Sequence, residues 1–191
     1  MSESPLRVSH EKDGQVLRLV LARPKANIVD AEMIAALDHA LSENLQSAAL
    51  KAVLLCADGP HFSFGASVEE HLPDQCADML KALHALILRI VESPVPVLVA
   101  VRGQCLGGAL EVAAAGHLIF AAPDAKLGQP EIKLGVFAPA ASCLLPLRIG
   151  QLNAEELLLS GRSIDAGEAQ RIGLINSIDD DPEAAAAAWI E

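Results

Sequence analysis

Residues 97–115 read Val-Leu-Val-Ala-Val-Arg-Gly-Gln-Cys-Leu-Gly-Gly-Ala-Leu-Glu-Val-Ala-Ala-Ala, and this stretch decides the fold. The valine-rich run predicts a buried strand, the glycines predict a turn, and the alanine-rich remainder predicts a helix. The first N–H groups of a helix lack intrahelical partners, and the helix dipole adds partial positive charge to them. Gly108 can therefore offer its backbone N–H to a developing oxyanion.

Strands and helices alternate on both sides of this stretch. Short apolar runs at residues 16–21, 52–56 and 118–121 predict further buried strands. Helical patterns lie between them, one capped by Asp30 and another ended by Pro94. The sequence therefore predicts an α/β fold with right-handed crossovers and mainly parallel strands.

The C-terminal part of the chain is predicted to be helical. Asn153 with Glu156, and Asp165 with Glu168, have the spacing of capping boxes, and Gly161 is placed to end a helix. We interpret residues 1–191 as one domain, in which residues 150–191 are the start of a helical C-terminal region. The last helix begins well at 181–183 but stops with apolar residues that lack a partner surface, so we expect the natural protein to continue beyond residue 191.

Composition excludes several classes of protein. With 191 residues and 52% hydrophobic content, the chain can bury one substantial core. The N-terminus lacks a secretory signal, and the longest uncharged stretch is too polar to span a bilayer, so we predict a soluble cytoplasmic protein. The net charge of −11 and the 3% aromatic content argue against nucleic acid and membrane surfaces as partners. The four scattered cysteines are predicted to be reduced, buried thiols.

Glu111 is the first candidate for chemistry. It follows Gly108 by three residues, so a helix starting there places both on one face. A glutamate in a first helical turn can simply complement the helix dipole, and this structural interpretation stays open. Its neighbours are small and apolar, however, so the carboxyl is predicted to be desolvated and hence functional or paired.

Two further segments complete a predicted site. Gly65-Ala66 again places a glycine before an N–H group, and two such donors on one oxygen would form an oxyanion hole, although this segment alone could be an ordinary loop. Glu131 lies in a loop fixed by proline and glycines, where it could also be a surface ion-pair member beside Lys126 or Lys133. Two carboxyl groups in one apolar pocket can differ in protonation, so one can act as a base and the other as an acid.

Three motifs, in this order and at these separations, resemble the enoyl-CoA hydratase/isomerase, or crotonase, family: Phe62-Ser63-Phe64-Gly65-Ala66, Gly107-Gly108-Ala109-Leu110-Glu111 and Gly128-Gln129-Pro130-Glu131. The resemblance covers nearly the whole chain and implies a spiral of repeated ββα units with a helical C-terminal region. It also implies a homotrimer or hexamer. It implies an acyl-CoA substrate with no separate cofactor, since coenzyme A is part of the substrate.

The resemblance assigns roles by position. Ala66 and Gly108 donate the oxyanion-hole N–H groups, Glu111 activates water, and Glu131 delivers a proton to the α-carbon. Lys25 and Ala26 lie in the loop that corresponds to the family's CoA-side loop. Retention of both glutamates favours a hydratase, which is a hydro-lyase.

The chain also departs from the family's pattern. Ser67 stands where an aspartate is usual, and residues 137–142 read Phe-Ala-Pro-Ala-Ala-Ser where many hydratases are glycine-rich. We therefore assign Phe137 and Pro139 to the substrate pocket. The string 127–142 resembles cyclohexa-1,5-diene-1-carbonyl-CoA hydratases of anaerobic benzoyl-CoA degradation, which predicts a conjugated, cyclic dienoyl thioester as substrate.

Other interpretations stay open. A general short-chain enoyl-CoA hydratase, an enoyl-CoA isomerase or an acyl-CoA hydrolase would use related chemistry, and a non-catalytic acyl-CoA-binding protein would use none. Cys105 as a nucleophile is disfavoured because no histidine lies at a recognisable local spacing. The six histidines show no metal-ligand spacing, so no metal is predicted.

Overall fold

The computed structural model describes residues 4–72 and 74–191. The strands are β1 (Leu6–Glu11), β2 (Val16–Leu21), β3 (Ala52–Ala57), β4 (Val97–Val101), β5 (Gln104–Leu106), β6 (Leu118–Ala121), β7 (Lys126–Gly128), β8 (Ser163–Asp165) and β9 (Ser177–Ile178). The α-helices are α1 (Ala31–Asn44), α2 (Cys76–Val91), α3 (Gly108–Ala115), α4 (Pro139–Ser160), α5 (Ala166–Arg171) and α6 (Pro182–Trp189). Short 3-10 helices span Glu69–His71 and Pro130–Leu134.

The strands form two sheets. The larger has the order β1-β2-β3-β4-β6-β9, and the smaller has the order β5-β7-β8. In the larger sheet β1 pairs antiparallel with β2, and the other neighbours are parallel. The predicted α/β class and the mainly parallel pairing are confirmed. Strand β1 was not predicted, because it is an edge strand with mostly exposed or half-buried residues and so lacks a long apolar run.

Alternation along the central strands divides the core into two layers. Successive side chains of a strand point to opposite faces. Leu19 and Leu55 belong to the larger cluster, which also contains buried residues of α1, α2 and α3. Val20 and Leu54 belong to a smaller cluster on the other face, where Ala186 of α6 covers the sheet. Helix α3 therefore lies within the larger layer, and all eight of its residues are buried.

The helix boundaries confirm some of the predicted caps. The Asp30 carboxylate accepts a hydrogen bond from the N–H of Met33 at 2.9 Å. The Asp165 carboxylate likewise accepts from the N–H of Glu168, and Gly161 ends α4 in a left-handed conformation. The predicted cap at Asn153 was wrong.

The chain instead kinks at Gly150, where φ is 74°, and α4 continues through position 153. The Asn153 amide nitrogen donates across the kink to the carbonyl of Ile149 at 2.8 Å, so the side chain does not accept the N–H bond that a cap would accept. The kink is made by a glycine, so a polar cap is not needed there.

The cysteine prediction was partly wrong. All four cysteines are free, and Cys56 and Cys105 are buried, but Cys76 is half-buried and Cys143 is exposed on α4. In the described part of the chain, no helix combines the length and apolar character needed to cross a membrane.

Candidate active site

Two backbone N–H groups meet at the start of α3. Gly107 has φ 54°, a conformation that favours glycine, and it turns the chain from β5 into the helix. A Cβ atom built on Gly108 would lie 3.4 Å from the nitrogen of Ala66, so the two residues are immediate neighbours. A parallel bridge between Ser63 and Cys105 holds the segment that leads to Ala66 against β5, and a second bridge pairs Ala66 with Val29.

Both N–H groups are free to bind an oxygen. Within residues 4–72 and 74–191, neither the N–H of Ala66 nor that of Gly108 donates a hydrogen bond to a protein group. The helix dipole adds positive charge at Gly108. The sequence prediction that Ala66 and Gly108 lie together is therefore matched by their positions, and the pair has the arrangement of an oxyanion hole.

Glu111 lies one turn along α3 and is 3% exposed. Burial raises the pKa of this carboxyl, while hydrogen bonds from the N–H groups of Ala141 and Ala140 oppose that rise. The bond from Ala141 to Oε1 measures 2.8 Å and connects Glu111 to the first turn of α4. Glu111 is thus a buried carboxyl held by backbone donors and not a dipole-complementing residue on the surface.

Glu131 approaches the same turn from the opposite side. A Cβ atom on Gly107 would lie 2.8 Å from Oε1 of Glu131, so only a glycine at 107 allows this approach. Burial, together with the negative charge of Glu111, raises the pKa of Glu131 to about 7. Glu131 takes part in no ion pair among the described residues, so neither Lys126 nor Lys133 neutralises it.

Gln129 was not among the predicted site residues. This side chain is 1% exposed, and with the amide turned so that its nitrogen faces Glu131, that nitrogen donates to both carboxylate oxygens at 2.9 Å. The signal was present in the sequence, because a glutamine two residues before a candidate catalytic glutamate can reach it across a proline turn. A buried amide that donates twice fixes the direction of the Glu131 carboxyl.

A cavity of about 300 Å³ opens beside Glu131. Its lining comprises Gln129, Glu131, Ile132, Phe137, Ala138, Ser142, Glu155, Leu158 and Leu159. Phe137 therefore lines a cavity together with Glu131, and its role in a substrate pocket stays a prediction. Pro139 does not line this cavity, because it begins α4 and the wall beside it is formed by Ala138.

A second cavity, of about 580 Å³, lies on the Ala66 side of the oxyanion hole. Arg23, Ala26, Phe64 and Ala66 are among its lining residues. Ala26 thus lines the same cavity as Ala66. Lys25 is exposed and does not line the cavity, and the CoA-binding role of both residues stays a prediction.

Cys105 is not a nucleophile in this arrangement. The thiol is fully buried on β5, and burial raises its pKa far above the ordinary range for a cysteine. A thiol nucleophile must form a thiolate. Cys105 therefore serves as a small core residue.

Comparisons with known proteins agree with this geometry. The sequence profile described as enoyl-CoA hydratase/isomerase matches residues 11–190. Cyclohexa-1,5-dienecarbonyl-CoA hydratase from Thauera aromatica is 70% identical over 100% of this chain and 75% of that protein. A probable enoyl-CoA hydratase from Bacillus subtilis is 32% identical over 88% of this chain and 67% of that protein.

A solved structure agrees on the fold. The crystal structure of enoyl-CoA hydratase from Thermoplasma volcanium superposes with a TM-score of 0.88 and 29% sequence identity. The match covers 98% of this chain and 75% of that one. The crotonase-like fold implied by the sequence motifs is therefore confirmed.

Proposed function

The chain belongs to the enoyl-CoA hydratase/isomerase family, and from that premise we propose that it hydrates a conjugated cyclic dienoyl-CoA thioester, cyclohexa-1,5-diene-1-carbonyl-CoA. The observation that carries the proposal is the meeting of two desolvated carboxyl groups with two unused N–H donors at one turn. The name of the Thauera aromatica relative supports the choice of acyl group.

The chemistry follows from the positions of these groups. The thioester oxygen accepts hydrogen bonds from the N–H groups of Ala66 and Gly108. Glu111, in its ionised form, removes a proton from water, and the water oxygen bonds to the β-carbon of the conjugated system. The electron pair of the double bond moves to the thioester oxygen as an enolate, whose charge the two N–H groups stabilise. Glu131, in its protonated form, gives its proton to carbon and so completes the addition of H and OH.

The environments of the two carboxyl groups suit these roles. Burial raises the pKa of both carboxyl groups, but backbone hydrogen bonds oppose that rise at Glu111, whereas the negative charge of Glu111 adds to it at Glu131. A pair of carboxyl groups whose surroundings push their pKa values apart can supply one base and one acid. An isomerase or a hydrolase could work with one carboxyl, and a binding protein would have no use for either.

Several further properties belong to the proposal. Coenzyme A enters as part of the substrate, with Ala26 beside the oxyanion hole and Lys25 at the surface, and neither a separate cofactor nor a metal is required. We also propose a homotrimer or hexamer located in the cytoplasm, and no nucleic acid or membrane partner. Phe137 and Ala138 supply an apolar wall against which a flat ring can lie with little loss of conformational freedom.

The experiment is a comparison of kcat/KM for cyclohexa-1,5-diene-1-carbonyl-CoA and crotonyl-CoA under one set of conditions. We expect the cyclic thioester to be preferred by about 10-fold or more, since apolar contacts discriminate by roughly 1–3 kcal/mol. Mass spectrometry of the product should show the addition of one water. A clear preference for crotonyl-CoA would refute the ring assignment, and an isomerised product or released coenzyme A would refute hydration.

A further inference from the structure

His84 lies on α2, next in the chain to a residue that packs against Gly108 of the oxyanion hole. The preceding residue, Leu83, places its Cδ2 atom 3.7 Å from where a Cβ on Gly108 would be. Helix α2 therefore packs against the first turn of α3 at the level of the site. No role for His84 follows from the two-carboxyl mechanism.

The Nε2 atom of His84 is buried and has no hydrogen-bond partner among the described residues. The same is true of Nε of Arg23, but that guanidinium pairs with Asp30 and Glu32 through its other nitrogens. His84 makes no hydrogen bond to any described residue. Leaving a buried polar group unpaired costs roughly 1–3 kcal/mol, so folding alone would favour an apolar side chain here.

The charges around His84 connect it to the carboxyl pair. A positive charge on His84 opposes the rise that burial causes in the pKa of Glu111, and His71 acts in the same direction from the neighbouring 3-10 helix. Glu131 also interacts electrostatically with Glu111. The His84 imidazole therefore lies within electrostatic range of Glu111, on the helix that packs against the first turn of α3.

We propose that His84 is a specificity-determining residue whose Nε2 hydrogen-bonds the oxygen that Glu111 handles, first as water and then as the new hydroxyl group on the ring. The inference rests on the proposed hydratase function. It gives a function to a buried polar atom that otherwise costs stability. A pocket built to bind a hydroxyl discriminates against a ligand that lacks one, because its polar group then stays unpaired.

The test compares the affinity of two thioesters by titration calorimetry. One is the hydrated ring product, and the other is cyclohex-1-ene-1-carbonyl-CoA, a ring thioester without the hydroxyl group. The variants are His84→Leu, which removes Nε2, and His84→Gln, which restores a polar atom near its position. His39→Leu is the matched control, since His39 is an exposed histidine on α1 whose side chain is 72% exposed.

We expect wild type and His39→Leu to prefer the hydroxylated thioester equally. His84→Leu should lose about 10-fold of that preference, as expected for one hydrogen bond, and His84→Gln should recover most of it. The thermal midpoint of His84→Leu should equal or exceed that of wild type, because an unpaired buried nitrogen has been removed. If His84→Leu lowers the thermal midpoint, His84→Phe takes its place, because phenylalanine keeps a planar ring. The same ratio of affinities for the two thioesters is then measured for His84→Phe.

Two outcomes would overturn the inference, and they differ from failure of the proposed function. An unchanged preference in His84→Leu, or in His84→Phe where that variant is used, would show that Nε2 does not contact the hydroxyl. A loss in both His84→Leu and His84→Gln together with a lowered midpoint would assign His84 a purely structural role. Absence of dienoyl-CoA hydration by wild type would instead refute the proposed function, and the inference about His84 would fall with it.

Discussion

Glu111 lies on α3, a regular helix whose residues are all buried, whereas Glu131 lies on the short 3-10 helix Pro130–Leu134, most of which is exposed. Backbone N–H groups of α4 hold the first carboxyl, and a single side chain, Gln129, orients the second. The comparison shows two ways to prepare a carboxyl for proton transfer. One is fixed by the core of the fold, and the other is adjusted by a local segment beside the substrate cavity.

The difference predicts how each region responds to change. The position of Glu111 depends on the helix packing of the whole domain. Substitutions that displace Glu111 should therefore also lower the stability of the fold. Glu131 depends on three neighbouring features, namely Gly107, Gln129 and the charge of Glu111. Substitutions near Glu131 should therefore change catalysis with little effect on folding.

The largest expected effect comes from the two carboxyl groups themselves. Glu111→Gln and Glu131→Gln should each lower the hydration rate by at least about 100-fold, as for loss of a general acid or base, while thioester binding largely survives. Steady-state kinetics with calorimetric affinities measures both quantities. Glu43→Gln, at an exposed glutamate of α1, should leave the rate unchanged. Near-normal turnover by either active-site variant would refute the two-carboxyl mechanism.

Gly107→Ala should have the next largest effect. The added Cβ would lie 2.8 Å from Oε1 of Glu131, in a backbone conformation with φ 54°, so the carboxyl must move. A displacement of this kind should lower kcat by about 10- to 100-fold. Gly14→Ala is a matched control because Gly14 has φ 83° but no atoms within 4 Å. If Gly14→Ala lowered kcat as much as Gly107→Ala, the decrease would come from backbone strain and not from the contact with Glu131.

The sequence predicted the central strands of the fold and the glycine turn at the candidate site, but not the short strands between them. Strands β2, β3, β4 and β6 and the motif at Gly108 were evident because buried parallel strands and glycine turns leave strong local patterns. The short strands β5, β7 and β8 were missed, since three-residue strands carry little periodicity.

The missed residues share a physical reason. The spacing of Gln129 and Glu131 was visible in the sequence, but the burial of Gln129 was not, and His84 is distant in the chain from Glu111. Pro139 begins α4 and its neighbour Ala138 lines the cavity beside Glu131, so the pocket role of Pro139 stays a prediction. The role of a polar residue can be assigned only when its burial and its hydrogen-bond partners are known.

Gln129→Met should have a moderate effect confined to Glu131. The methionine keeps the volume but removes two N–H donors that stabilise the charged carboxylate. The pKa of Glu131 should rise, and kcat should fall by roughly 5-fold as the carboxyl loses its orientation. A pH profile of kcat/KM measures both effects, since its alkaline limb should move to higher pH. An unmoved limb would show that Gln129 does not contact Glu131 in solution.

The smallest expected effect is on stability as a function of pH. Burial raises the pKa of Glu131 to about 7 in the folded protein, so the folded state binds more protons than the unfolded state between the two pKa values. The contribution of Glu131 to the free energy of unfolding is therefore full at acidic pH and falls as pH rises through about 7. Denaturant titrations at pH 5 and pH 8 should show that Glu131→Gln reduces this loss by on the order of 1 kcal/mol. An identical pH dependence in wild type and variant would contradict the raised pKa.

The most direct test of a paired mechanism is the hydration rate of the double variant Glu111→Gln/Glu131→Gln, compared with both single variants at one pH. If the two carboxyl groups work as one unit, removing the second adds little, so the double variant should be within about 5-fold of the slower single variant. If they contribute independently, their losses should multiply to roughly 10,000-fold. A multiplicative loss would contradict the pairing of Glu111 and Glu131 on one reacting water.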